Sequence, residues 1–271
     1  MKRNLLARAF NGAGAPPKLR VGKLKVFGYD PDEDGDRDVP GLPDVDEDAR
    51  VATMYVYDVI GGWSWDGPTT EDLVRAILNL DVDQIHVRIN SPGGSVFDAT
   101  AIKTALEQHS ATVHAHVDGL AASAASTLML AGDDIDIAPG GFVMIHNPST
   151  FAYGDATEMR ASADMLDAIR DSIAAQYVSR TGLASKDVIN MMAAETWLSA
   201  SDAVDKKFVD RVMDKAPRGE ALKRFDLTAY ERTPEALLKG PAHSAAPDDD
   251  RVAKWIADSM ARIERAQRLY Q

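Results

Sequence analysis

Three short stretches of the 271-residue chain carry side chains suited to acyl transfer: Ile89-Asn90-Ser91-Pro92-Gly93-Gly94-Ser95-Val96, Gly119-Leu120-Ala121-Ala122-Ser123-Ala124-Ala125-Ser126 and Met144-Ile145-His146-Asn147-Pro148. The Gly93-Gly94 pair permits a tight turn with backbone N–H groups facing outward, and such groups can hold an oxyanion; the same pair also makes a plain turn. Ser123 stands at the entry to an Ala-rich segment, where small neighbours leave access and a helix N-terminus favours developing negative charge. It is a candidate nucleophile, with Ser126 as its rival, and either could instead be a cap or a packed hydroxyl. His146 ends an apolar run and precedes Asn147-Pro148, which force the chain out of regular structure, a fitting place for a general base. A carboxylate must then orient the imidazole, and spacing does not choose among Glu195, Asp155, Asp164 and Asp202.

Other chemistries fit less well. Without cysteine there is no thiolate zinc site, iron–sulfur cluster, disulfide or cysteine nucleophile. His114 and His116 share one strand face, but no third ligand is evident, so a solvated face is expected and no metal. Asp30-Pro31-Asp32-Glu33-Asp34-Gly35 opens like a calcium loop, yet Gly41 stands where the bidentate Glu belongs, which reads as a solvated acidic loop. With 30 Lys+Arg against 42 Asp+Glu, net charge −12, the surface would repel a phosphate backbone, arguing against a nucleic-acid partner. Met1 to Phe10 lacks the apolar core of a signal peptide and no stretch approaches a membrane span, so a soluble cytoplasmic protein is expected, with no membrane partner.

The elements that must position these residues follow from periodicity. Residues 1–50 read as an extension, with a short strand at Val21–Phe27 and the acidic run at 30–48. From Val51 to Val212 strand and helix signals alternate. Strands are expected at Met54–Ile60, Ile85–Ile89, Val113–Val117 and Phe142–Ile145, and helices at Thr69–Leu80, Ser95–His109, Ala121–Ala131, Thr157–Thr181 and Ser185–Ala194. Strand–helix alternation implies a βαβ-type α/β fold, and all three motifs follow strands, so they could converge on one crevice at the strands' carboxyl ends. Residues 213–271 read as a Pro-broken linker and an amphipathic helix at about 251–270, bearing Trp255, Ile256, Met260 and Ile263.

Together the three motifs resemble the ClpP family of serine peptidases, and within it the ClpP-related head maturation proteases of tailed phages and prophages. Over residues 51–212 the resemblance implies a ClpP/crotonase-type fold of repeated ββα units with a protruding handle helix near Thr157–Thr181, flanked by flexible extensions. It implies Ser123 as nucleophile, His146 as base and later acid, the N–H groups of Gly94 and Ala124 as oxyanion hole, and no cofactor. The third member falls at Glu195, before Thr196-Trp197-Leu198-Ser199-Ala200, where the family usually has Asp. Lys206-Lys207-Phe208 departs too, since a Gly normally precedes the last strand. Homo-oligomeric rings and protein substrates, here capsid and scaffold proteins and the chain's own tails, complete what the resemblance implies. Alternatives are an inactive ring-forming assembly protein, a Ser–Lys enzyme of the signal-peptide-peptidase-A type, against which the Met-Ile-His segment speaks, and a crotonase-type acyl-CoA enzyme.

Overall fold

The computed structural model describes residues 42–61, 69–214, 225, 227–228 and 230–238. The strand expected at Val21–Phe27, the acidic loop at 30–41, nearly all of the linker and the helix near 251–270 lie outside the described residues. One compact unit runs to Arg232, and a second begins at Thr233, where the short helix Glu235–Leu238 is described.

A sheet forms the centre of the first unit. Strands β1 (Asp44–Asp46), β2 (Val51–Val56), β3 (Gln84–Ser91), β4 (Thr112–Ala122), β5 (Asp134–Ile137) and β8 (Arg211–Val212) follow one another in space. All neighbours along that path are parallel except β1 with β2. The apolar side chains of Ile85, Val87 and Ile89 on β3 and of Val113, Ala115 and Val117 on β4 alternate as read and are all buried, as a half-covered strand requires. Helices α1 (Thr70–Leu78) and α2 (Val96–Gln108) pack together, contributing Ile77, Ile102 and Leu106 to the core. Thr69 and Asp72 form the capping box that their spacing predicted.

β4 is the element that makes a site possible. Its first half, His114 to Val117, pairs with β5, and its second half, Leu120 to Ala122, pairs with β6 (Phe142–Ile145). Asp118, between the two halves, is buried and bound by the guanidinium of Arg88 at 2.5 Å and 2.9 Å, so the buried carboxylate is paired where the strand changes partners. The helix expected at Ala121–Ala131 therefore starts late. Ala121 and Ala122 are claimed by the ladder with Val143 and Met144, and only α3 (Ala124–Leu128) and a 3₁₀ turn at Met129–Ala131 are helical. Sheet pairing has overridden alanine's helix preference.

After β6 comes α4 (Ala156–Thr181), capped by Asp155. No residue of its first seventeen is buried, whereas Ile173, Ala174, Tyr177 and Thr181 are, so the N-terminal part projects as a handle. α5 (Ser185–Ala193) leads to β7 (Thr196–Ser199), antiparallel to β6, and then α6 (Ala200–Asp205). α6 ends in a Schellman turn, Lys207 N–H to Val204 O at 2.9 Å and Phe208 N–H to Ala203 O at 2.8 Å, with Lys207 at φ 62°. Here lysine adopts the left-handed conformation for which glycine is the usual residue.

Candidate active site

Ser123 sits where β4 breaks into α3, with φ 53° and ψ −126°. A non-glycine residue persists in such a region only when its surroundings over-determine it. Here they do: the Ser123 N–H donates to Met144 O at 2.9 Å, and its carbonyl accepts from the N–H of Ser126 at 2.9 Å and from its hydroxyl at 2.6 Å. Ser126 Oγ also lies 2.7 Å from the hydroxyl of buried Tyr177, which must be the donor because Ser126 already spends its proton on Ser123. Ser126 is fully buried. It braces the turn and has no access to a substrate.

His146, one residue past β6, brings Nε2 to 2.8 Å from Ser123 Oγ. Burial pushes its pKa below the ordinary value, and the negative charge of Glu195 partly opposes this. The imidazole is therefore neutral near pH 7, and with Nε2 accepting the serine proton its own hydrogen belongs on Nδ1.

Glu195 occupies the turn between α5 and β7 at φ 46°. It lies within electrostatic reach of His146, but its oxygens are bound elsewhere: Oε1 accepts from the Trp197 indole at 3.1 Å and the Arg232 N–H at 2.7 Å, and Oε2 from the Glu231 N–H at 2.9 Å. Desolvation pushes this carboxyl up, yet the donors and the neighbouring histidine outweigh it, so its pKa lies below the usual range. Among the described residues none hydrogen-bonds Nδ1 of His146. Of the other carboxylates, Asp155 and Asp202 cap α4 and α6, and Asp164 is exposed on the handle.

The glycine turn lies directly against Ser123. A Cβ on Gly93, at φ 98°, would meet Ala122 O at 2.6 Å, Ser123 Cβ at 2.7 Å and Ala124 N at 3.0 Å. Buried Ser91 fixes this turn by donating from Oγ to Asp58 O at 2.7 Å and accepting the Gly93 N–H at 3.1 Å. Gly94 follows in the same turn, bridged to Ile60. Ala124 opens α3, whose first N–H groups have no intrahelical acceptor. The arrangement thus gathers a serine, a neutral imidazole and a glycine turn with a helix start, the parts an acyl transfer needs.

The family model for Clp protease matches residues 60–216, more than half of the chain. The chain belongs to the Clp protease family. The "ATP-dependent Clp protease proteolytic subunit 1" of Prochlorococcus marinus (strain NATL2A) is 31% identical over 165 residues, covering 55% of this chain and 82% of that protein. The "ATP-dependent Clp protease proteolytic subunit 2" of Parasynechococcus marenigrum (strain WH8102) is 31% identical over 151 residues, covering 54% and 77%. The mixed α/β architecture, a central sheet with helices, agrees with that membership.

The candidate calcium and histidine sites fare differently. The former lies outside the described residues. His114 and His116 stack with His86, which sequence reading passed over, and pair with Asp134 at 2.7 Å and Asp136 at 3.7 Å. Among the described residues no cluster suited to a metal ion occurs, and no helix is long and apolar enough to cross a membrane. Sequence reading also missed Tyr230, whose ring stands edge-on to His146 at 5.4 Å and to Trp197 at 5.7 Å. Its position in a Pro-broken stretch gave no periodic signal.

Proposed function

We propose that the chain is a serine endopeptidase. Ser123 attacks the peptide carbonyl, His146 takes its proton and returns it to the leaving amine, and the N–H groups of Gly94 and Ala124 hold the oxyanion. The nearby negative charge of Glu195 stabilises the imidazolium, and water then releases the acyl group by the same steps in reverse order. The observation that carries this reading is the 2.8 Å contact between His146 Nε2 and Ser123 Oγ at a strained strand-to-helix turn. No cofactor is required by this chemistry.

The same reading extends to assembly and substrate. The projecting handle, with Met159 and Met165 outward and Phe151 and Tyr153 ahead of it almost fully exposed, offers apolar surface for other copies of the chain. A homo-oligomeric ring acting in the host cytoplasm or within an assembling prohead, on capsid and scaffold proteins and on its own tails, is the function proposed. The test is to incubate the purified chain with capsid and scaffold proteins of tailed phages and to map new termini by mass spectrometry. Defined cuts are expected; intact partners in the presence of a turning-over protease would refute that substrate class. A second reading, an inactive assembly protein, draws on Glu195, whose carboxylate is bound away from His146.

The protonation of His146 gives this proposal a pH signature. Because burial lowers its pKa, the base is lost only below about pH 6.5, so kcat/KM is expected to fall on an acid limb below that value. Glu195 raises the histidine's pKa. In Glu195→Gln that support disappears, and the limb is expected to move to lower pH while the plateau drops. A limb unmoved by the substitution would separate Glu195 from the histidine.

A further inference from the structure

Tyr230, Glu231 and Arg232 each engage a group that the proposed chemistry needs. The Tyr230 hydroxyl donates to the carbonyl of Pro92, next to the glycine turn, and its ring stands against the imidazole of His146. The N–H groups of Glu231 and Arg232 take one oxygen each of the Glu195 carboxylate, and the Arg232 guanidinium donates to Ala194 O at 2.9 Å. Leu227, just upstream, is buried, and its carbonyl accepts the Tyr230 N–H at 3.2 Å.

These contacts oppose catalysis in two ways. An extended substrate lying beside the end of β3 would pair with backbone acceptors there, and the Pro92 carbonyl is already taken. Nδ1 of His146 needs an acceptor to hold its tautomer and stabilise the imidazolium, while the carboxylate nearest to that task is bound by the segment's backbone. The tyrosine is suited to a lasting contact, since burial first and Glu195 second push its pKa up to about 12 and keep its donor proton in place.

We propose that Tyr230–Arg232 is an autoinhibitory strap in cis, covering the approach to Ser123 and holding Glu195 off His146. This rests on the serine-peptidase reading above. Release of the strap opens the Pro92 edge and frees the Glu195 carboxylate to accept the Nδ1 hydrogen, converting a serine–histidine pair into a triad. Arg232 is also the last residue of the first compact unit, so the strap lies where the chain leaves the catalytic body. Displacement or cleavage there would switch the enzyme on without unmaking its core.

The test uses the full chain and two variants, Tyr230→Ala, which removes the Pro92 cap and the ring on His146, and Arg232→Pro, which removes one backbone donor to Glu195. The readouts are the rate at which a fluorophosphonate labels Ser123 and the pH dependence of that rate. Among the described residues the groups facing His146 are Ser123, Glu195 and the Tyr230 phenol, and of these only Glu195 changes its partners in Arg232→Pro. Labelling scales with the fraction of open molecules, so both variants are expected to label about tenfold faster or more. In Arg232→Pro the acid limb is also expected to move to higher pH as the carboxylate reaches the imidazole. Rates equal to or slower than wild type in both variants would overturn the strap, leaving Tyr230 as a structural brace. No labelling of wild type or either variant would instead refute the serine nucleophile itself. Should Tyr230→Ala fail to fold, Arg232→Pro, altered only at an exposed residue, decides the question.

Discussion

Ser123→Ala is expected to lower kcat/KM on a fluorogenic peptide by about 10⁴- to 10⁶-fold, leaving only the residual rate that binding and oxyanion stabilisation supply. His146→Ala is expected to cost nearly as much, and the double variant no more than either alone, because in the proposed mechanism nucleophile and base act as one unit across the 2.8 Å contact. Stability is expected to change little in Ser123→Ala. The side chain makes no cap bond to α3, and the turn is held by backbone groups and by Ser126 rather than by Oγ of Ser123. A Ser123→Ala protein retaining activity within tenfold of wild type would place the nucleophile elsewhere.

The second large effect comes from a single methyl group. In Gly93→Ala the new Cβ would fall 2.6 Å from Ala122 O and 2.7 Å from Ser123 Cβ, both fixed by the strained turn, at a φ of 98° that L-residues seldom adopt. Neither neighbour is a flexible side-chain tip, so relief requires moving either the turn or Ser123. Catalysis tolerates little displacement, and a shift of about 1 Å can cost about 100-fold. A loss of kcat/KM of at least about 100-fold is expected, together with about 2–4 kcal/mol of stability from backbone strain and overpacking. Activity and thermal unfolding measured on the same preparation check both; near-wild-type activity would mean that the turn is not seated against Ser123 during turnover.

Much of this architecture was legible because it is local. Alternation at Ile85, Val87 and Ile89 and the Thr69–Asp72 cap need only neighbouring residues, and both were read with the right period. Of the short strands, Phe142–Ile145 was read from its apolar run, and others were not. Asp134–Ile137, Thr196–Ser199 and Arg211–Val212 hold four, four and two residues, and their strand state comes from partners already in the sheet. The same holds for Ala121 and Ala122, where the ladder with β6 defeats a helix-forming composition.

At the site, Ser123, His146 and the glycine turn were candidates by type and by position after strands, with Ser126 a rival to Ser123 that its full burial sets aside. For the third member, spacing does not choose among four carboxylates and Glu195 came only from the family resemblance; the capping contacts of Asp155 and Asp202 and the exposure of Asp164 thin the field. The contact of Tyr230 with Pro92 spans 138 residues and rests on one hydroxyl. No periodicity encodes such a contact, and it becomes visible only when the chain is folded.

The central claim is that His146 activates Ser123. The most direct test treats the full-length chain with a fluorophosphonate and locates the adduct by peptide mass spectrometry, with His146→Ala alongside. The account predicts one adduct, on Ser123, that forms at least about 100-fold more slowly in His146→Ala. An adduct on another serine, or labelling of Ser123 at the same rate without the histidine, would contradict it.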